Sequence, residues 1–155
     1  MTAQRIFDLA PIGSIVAWSD GTPRPPERHK KKLDAWRANN ARGRLIAKQA
    51  ERRLGTVVIP AGFTLHETDL ASGGVIVMKV FKTFTVTSNL RFEVMERPPV
   101  GSIRIFDRPG DGRELVLLAP DRRAAEVWLS RHGYPQAVLE EVSDAVVIEG
   151  EGRAA

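Results

Sequence analysis

Hydrophobic and polar positions alternate most clearly in the middle of the chain. Leu90, Phe92 and Val94 are separated by the charged residues Arg91 and Glu93. This two-residue period is typical of a strand with one buried and one exposed face. The pattern predicts a half-buried β-strand here.

The surrounding region, residues 56–96, is rich in β-branched and aromatic residues, which favours several strands. Within it, residues 75–86 are apolar on both faces of a strand, which predicts a central position in a sheet. Residues 87–89, with the sequence Thr-Ser-Asn, would then form a hairpin connection to the next strand.

Residues 101–149 predict a β-hairpin, a helix and a strand in that order. Two apolar segments flank residues 107–113, whose Pro-Gly and Asp-Gly pairs are typical of a hairpin turn. Asp121 is a candidate N-cap of the following helix, and Gly133 and Pro135 are signals for its end.

Two short apolar segments, residues 137–142 and 145–149, predict further strands, and residues 150–155 predict a flexible tail. A chain of 155 residues without internal repeats is typical of one domain. We therefore expect an α+β fold over residues 1–150, a compact single domain with a mostly antiparallel sheet and two or three helices.

The N-terminal part, residues 13–54, predicts a strand, a turn and a helix. Asp20 and Gly21 form a strong turn dipeptide after an apolar segment. Pro26 suits the first position of a helix over residues 26–39, because its missing N–H has no helical partner there. The apolar spacing of residues 44–54 fits a helix, but the segment directly after Gly43 could equally begin a strand. Both alternatives therefore stay open.

Charge is distributed unevenly along the chain. The net charge is +4. Residues 24–53 hold eleven basic and three acidic residues, a sum of +8, while the remainder holds twelve basic and sixteen acidic residues, a sum of −4. The chain is therefore electrically polarised, with its positive charge concentrated around the predicted helix.

The predicted helix can dock without burying its cations. Leu33 and Trp36 fall on one face of a helical projection and would anchor it in the core. Most of the neighbouring cations fall elsewhere and would remain in solvent, where phosphate backbones select such surfaces. The candidate phosphate contacts are Arg28, Lys30, Lys31, Lys32, Arg37, Arg42 and Arg44.

The chain lacks the sequence motifs of several kinds of catalytic site and metal site. The chain has no cysteine, and its three histidines show none of the spacings of zinc motifs. In His66-Glu67-Thr68-Asp69, strict alternation places His66 and Thr68 on one strand face and the two acids on the other, so we predict no metal site. The acids within residues 107–114 are predicted to belong to a hairpin turn.

The chain also lacks a phosphate-binding glycine loop, a nucleophilic-serine elbow and the Asp/Glu-x-Lys motif of many metal-dependent nucleases. We therefore predict a non-enzymatic protein without a cofactor. The N-terminus has no signal-peptide pattern, and the apolar runs are far shorter than a membrane span. These features predict a cytoplasmic protein that does not enter the membrane.

The function favoured by the sequence is a small regulatory module that contacts the backbone of DNA or RNA. A first alternative is an inhibitor or assembly factor that binds an acidic protein through the basic segment or an exposed strand edge. A second is an enzyme whose site is assembled only in three dimensions. A basic segment that is merely solvated is a further interpretation of the same charges.

Overall fold

The computed structural model describes residues 1–143, apart from the side chains at positions 70, 71, 72 and 77. Within that part the chain forms three helices and ten strands. In chain order they are α1 (Ala3–Leu9), β1 (Ile15–Ser19), α2 (Lys30–Ala38), β2 (Ala41–Gln49), β3 (Arg52–Leu54), β4 (Val57–Ile59), β5 (Gly62–Ser72), β6 (Val75–Thr85), β7 (Arg91–Glu96), β8 (Ile103–Phe106), β9 (Leu115–Ala119), α3 (Arg122–Ser130) and β10 (Val138–Glu141).

The strands form two main sheets and one small hairpin. The larger sheet has the order β6-β5-β2-β1-β7, the smaller sheet has the order β10-β8-β9, and β3 pairs with β4. Every pairing is antiparallel. The predicted α+β class, with mostly antiparallel sheets in one domain, is confirmed.

The larger sheet is curled around an aromatic core. Phe84 of β6 and Phe92 of β7 belong to opposite edge strands, yet their ring centroids are 5.2 Å apart. Trp18 and Phe63 complete the cluster at centroid distances of 5.2 to 5.9 Å from these rings. Ile6 of α1 is fully buried against the same core. Each tilted or edge-on aromatic pair contributes about 0.5–1.5 kcal/mol beyond the burial of its apolar area.

The smaller sheet packs against α3. All four residues of β8 are buried, and Ala125 of α3 packs against Ile105. The Asp121 carboxylate accepts a hydrogen bond of 2.7 Å from the Ala124 backbone N–H. This N-cap satisfies a donor that the first helical turn leaves unpaired, so the predicted cap is confirmed.

Strand β2 joins the two sheets. Ile46 and Ala47 pack against Phe106 and Leu115 of the smaller sheet. A register shift between Leu45 and Ala47 interrupts the β2–β5 ladder at this point. The shift lets consecutive apolar side chains of β2 serve two cores.

The helix in the basic segment begins later than predicted. It starts at Lys30 instead of Pro26, with His29 as the N-cap at φ −95° and ψ 71°. The His29 N–H instead closes a turn on the Pro26 carbonyl. Because His29 is outside the helical region, the residues before it cannot join the same helix. The open choice for residues 44–54 is settled as strand, in β2 and β3.

The prediction that residues 75–86 form a central strand was wrong. Strand β6 is an edge strand, and Val75, Ile76 and Met78 on it are 65%, 53% and 57% exposed. Residues 87–89 therefore do not form a hairpin connection, because β7 lies at the opposite edge of the sheet. The apolar residues of β6 suggested burial along the whole strand, but only the end near Phe84 packs against the core.

The predicted strand over residues 137–142 is confirmed as β10. The predicted strand over residues 145–149 and the predicted tail over residues 150–155 lie outside the described residues.

Candidate nucleic-acid interface

Helix α2 is attached to the larger sheet mainly through its ends. The Trp36 indole N–H donates to the Thr22 carbonyl at 3.0 Å, and the Trp18 indole N–H donates to the Ala38 carbonyl at 3.0 Å. Leu33 is the one buried side chain of the helix. Trp36, expected in the core, is only partly buried. The long faces of α2 are therefore left largely to solvent.

A hydrogen-bonded turn fixes the C-terminal end of α2 beside β1. The Asn40 amide donates to the Trp36 carbonyl at 2.8 Å and to the Asp20 carboxylate at 3.1 Å, and its oxygen accepts from the Ser19 hydroxyl at 2.9 Å. The same carboxylate accepts from the Thr22 hydroxyl at 2.6 Å. The Thr22 bonds, followed by the Asn40 bond, lower the pKa of Asp20. The turn thus holds a charged carboxylate in a defined place.

The cations on and before α2 have no partners among the described residues. Arg28, Lys30, Lys31, Lys32 and Arg37 are exposed. None makes a side-chain hydrogen bond or an ion pair within residues 1–143. The nearest paired cation in sequence is Arg24, which contacts Glu27 at 3.4 Å. These five side chains are therefore available to an external anion.

The two arginines predicted on β2 differ in exposure and in contacts. Arg42 is exposed four residues after the end of α2. Arg44 is partly buried, and its guanidinium donates to the Gly13 carbonyl. Arg44 is also the cross-strand partner of His66 and lines a cleft on the outer face of the sheet. Arg42 is therefore unpaired among the described residues, whereas Arg44 is held by Gly13 and lines the cleft.

The remaining cations of the basic segment lie toward the other end of β2. Lys48 is six residues beyond Arg42 on the same strand, a distance of about 20 Å at roughly 3.3 Å per residue. Arg52 and Arg53 are further along the chain, in the exposed β3–β4 hairpin. The positive charge thus divides into two groups. We define the α2 surface as Arg28, Lys30, Lys31, Lys32, Arg37 and Arg42.

Strict alternation gave the wrong faces for residues 66–69. The β5–β6 ladder shifts between His66 and Thr68, so Glu67 is an extra residue on β5. This bulge brings His66 and Asp69 to one side, with Nε2 and Oδ1 at 2.6 Å. A second shift, between residues 70 and 71, adds one residue to β6. Within residues 1–143, no group of three His, Asp or Glu side chains converges in a way that could hold a metal ion.

The acidic loop before β9 forms the predicted hairpin turn. The Asp107 carboxylate accepts from the Glu114 backbone N–H at 2.9 Å and contacts Arg108 at 3.1 Å. Gly110 has φ 91°, a conformation that favours glycine. The acids of this loop are thus occupied by turn contacts and by arginine.

The helices within residues 1–143 are all too short or too polar to cross a bilayer. No curated protein and no solved structure shows significant similarity to the chain. A family model described as "Uncharacterised conserved protein UCP036055" matches residues 1–146. That span includes every helix and strand given above, and with them the α2 surface. The chain therefore belongs to this family.

Proposed function

We propose that the protein is a small, non-enzymatic regulatory module that contacts the phosphate backbone of nucleic acid through the α2 surface. The observation that carries the proposal is a set of six exposed cations around one helix, none of them paired within the described residues. The proposal places the protein in the cytoplasm, where such backbones are accessible.

Release of counterions would drive this association. Each phosphate that a cation neutralises releases condensed counterions, so affinity increases with the number of contacts and falls with added salt. Cations already paired within the protein would have to break those pairs first. The α2 surface has no such cost, because its side chains are exposed and unpaired among the described residues.

The aromatic residues of this region favour backbone contact over base stacking. Trp36 is partly buried, and its N–H is already bonded to Thr22. Trp18 is buried in the core of the larger sheet. Since Trp18 is buried and Trp36 is held by this bond, contact with the backbone of a duplex or a structured RNA is favoured over base stacking with a single strand.

A salt titration tests the proposal directly. We expect the full chain to bind a labelled duplex of about 20 base pairs at low salt, measured by fluorescence anisotropy. Six phosphate contacts predict a slope of log affinity against log salt of about −5, at roughly 0.9 per contact. Absence of binding to both DNA and RNA at tens of micromolar protein and low salt would refute the proposal.

A matched pair of variants separates the α2 surface from net charge. Lys30, Lys31 and Lys32 replaced by Gln should reduce the magnitude of the salt slope by about 3. The control replaces Arg122, Arg123 and Arg131 by Gln; these three residues are equally exposed, on and just after α3. Equal losses of affinity in both variants would show that overall charge, rather than this surface, drives binding.

A protein-interaction module is the second candidate, and a specific observation favours it. Strand β6 is an edge with exposed apolar side chains, and such edges pair readily with a strand of another protein. Affinity capture after nuclease treatment distinguishes the candidates. One stoichiometric partner that resists nuclease and is lost in Ile76→Lys would support the second candidate over the first.

A further inference from the structure

A cleft of about 500 Å³ separates the outer face of the larger sheet from β9 and the end of α3. No residue of α2 lines it. Its volume lies within the range of about 300–1,000 Å³ that is usual for small-molecule sites. The lining residues that matter here are Arg44, His66, Asp69, Phe81, Trp128 and Tyr134.

One wall of the cleft carries a preformed polar pair. The bulge at Glu67 brings the His66 Nε2 atom within 2.6 Å of Asp69. The two side chains are 29% and 32% exposed, so the pair is accessible from the cleft. The Phe81 ring lies beside His66 with a centroid distance of 5.3 Å and limits its movement. Because the two side chains are already in contact, they can form hydrogen bonds to a ligand without first moving together.

Arg44 supplies a positioned cation beside this pair. It is the direct cross-strand partner of His66, and one terminal nitrogen is held by the Gly13 carbonyl. A guanidinium has five N–H donors, and this is its one bond among the described residues. The remaining donors can bind a carboxylate or a phosphate oxygen, for which a fixed guanidinium is well suited.

The opposite wall presents flat rings. Trp128 and His132 are stacked with a centroid distance of 3.9 Å and an interplanar angle of 11°. Tyr134 is nearly parallel to the same indole, at 5.6 Å and 14°. A contact of 2.8 Å between the His132 ring nitrogen and the Trp128 carbonyl fixes the stack. His132 covers one face of the Trp128 indole, so a planar ligand would pack on the ring surfaces that this stack leaves open to the cleft.

We propose that this cleft binds a small molecule with one planar ring and one anionic group, about the size of a mononucleotide. The anionic group contacts Arg44, the polar edge of the ligand bonds to His66 and Asp69, and the ring packs on Trp128 and Tyr134. No residue of the α2 surface lines this cleft, so the site adds a second ligand to the proposed function. A nucleotide phosphate and an aromatic carboxylate share this chemistry.

Calorimetric titration of the full chain distinguishes these two sources. The phosphate arm uses AMP, GMP, CMP and UMP, and the carboxylate arm uses indole-3-acetate. Adenosine and inorganic phosphate are the controls. Adenosine has the planar ring without the anionic group, and inorganic phosphate has the anionic group without the ring. We expect at least one complete probe to bind with a Kd of about 1 mM or tighter, and at least tenfold tighter than either half. No binding of any complete probe at about 5 mM would overturn the proposal.

Three variants localise the binding. Arg44→Gln should weaken the best anionic probe at least tenfold and leave adenosine unchanged. Because loss of the bond to Gly13 could also unfold the chain, thermal unfolding is measured alongside. Lys79 also lines the cleft, so Trp128→Leu and Lys79→Gln test the same site without touching that bond. Unchanged affinity in both of these variants would overturn the proposal.

Lys31→Gln, on the α2 surface, is the matched charge control. It should leave probe binding unchanged while weakening nucleic-acid binding. If duplex binding is absent and the small-molecule probes still bind in a manner sensitive to Trp128→Leu, the proposed function fails and the cleft proposal stands. A loss of probe affinity in Lys31→Gln equal to that in Lys79→Gln would overturn the assignment to this cleft.

Discussion

Arginines in and beside the smaller sheet are paired with a carboxylate, whereas the arginines and lysines of the α2 surface are exposed and have no such partner among the described residues. Arg104 of β8 is only 5% exposed, donates to the Ile12 carbonyl at 2.6 Å and contacts Glu140 at 3.3 Å. Arg113 contacts the same carboxylate at 3.1 Å and lies 3.8 Å above the Phe106 ring. The α2 cations make no such contacts among the described residues. Contacts, rather than residue type, therefore decide which cations stabilise the fold.

The difference is also visible in ionisation. Burial lowers the pKa of Arg104, and the Glu140 carboxylate opposes that shift. A buried cation costs free energy of desolvation that its partners must offset. The exposed cations of α2 have no such cost, so they contribute little to the stability of the fold and remain available for association.

The largest expected effect is the loss of the Arg104 contacts. Arg104→Met should reduce the free energy of unfolding by about 3 kcal/mol, because the Ile12 carbonyl loses its donor and Glu140 is left with Arg113 alone. Urea unfolding followed by circular dichroism measures this. Arg122→Met, at an exposed position of α3, is the control and should change stability by no more than about 0.5 kcal/mol. An equal loss of stability in both variants would show that buried, paired arginines contribute no more to the fold than exposed arginines do.

The attachment of α2 should have the next largest effect. Asn40→Ala removes the amide bonds to Trp36 and Asp20 and should cost about 1–2 kcal/mol. The neighbouring Asn39→Ala is the control, because that side chain has no hydrogen bond among the described residues. Hydrogen exchange of the α2 backbone amides measures the effect and should be faster in Asn40→Ala. Equally fast exchange in both variants would show that the Asn40 bonds do not hold the helix.

A smaller effect of opposite sign is expected at Lys48. Burial lowers its pKa, Asp8 opposes this and Arg104 adds to it. Near neutral pH the folded state carries the cost of the charged amine, so Lys48→Met should raise the free energy of unfolding by less than about 1 kcal/mol.

The pH dependence of the Lys48 effect follows from its sign. As pH rises through the lowered folded pKa toward the ordinary value of 10.5, the unfolded chain binds more protons, and the wild-type protein gains stability relative to the variant. The advantage of Lys48→Met should therefore be smaller at pH 10 than at pH 7, and should disappear only above the ordinary pKa of 10.5. Unfolding measured at pH 7 and pH 10 tests this, and a constant difference would contradict it.

The smallest effect on stability is expected on α2 itself. Replacement of Lys30, Lys31 and Lys32 by Gln should change the free energy of unfolding by no more than about 0.5 kcal/mol, since these side chains are exposed and unpaired among the described residues. The measurement is the same urea titration. A loss above about 1 kcal/mol would show that the lysines support the helix, and would weaken the case that they are kept for a ligand.

Local features of the fold were predictable from the sequence because their causes are local. Asp121 caps α3 through one bond to Ala124, three residues away. The β8–β9 hairpin follows from its turn residues and two flanking apolar segments. The strand containing Phe92 follows from alternation alone. In each case the residues that determine the structure are neighbours in the chain.

The features that were missed depend on distant contacts. An apolar strand such as β6 is central or peripheral according to what packs on it, and the sequence around Ile76 does not contain that information. Helix α1 has only seven residues, and its one local signal was Thr2, whose side chain accepts from the Arg5 N–H as an N-cap. Of the predicted site residues, Arg44 alone has a side-chain hydrogen bond among the described residues, to the Gly13 carbonyl 31 positions away, and its sequence neighbours do not indicate that contact.

The bulge at Glu67 has a consequence for how chain length can vary among relatives. The extra residue already lies outside the regular ladder, since His66 and Thr68 pair with the consecutive residues Phe81 and Val80. Its deletion would straighten β5 and leave His66 and Asp69 on one face. A deletion at Leu65 would instead move His66 into a core position. We therefore expect a one-residue alignment gap in this hairpin to occur at position 67, where it preserves both the core and the cleft.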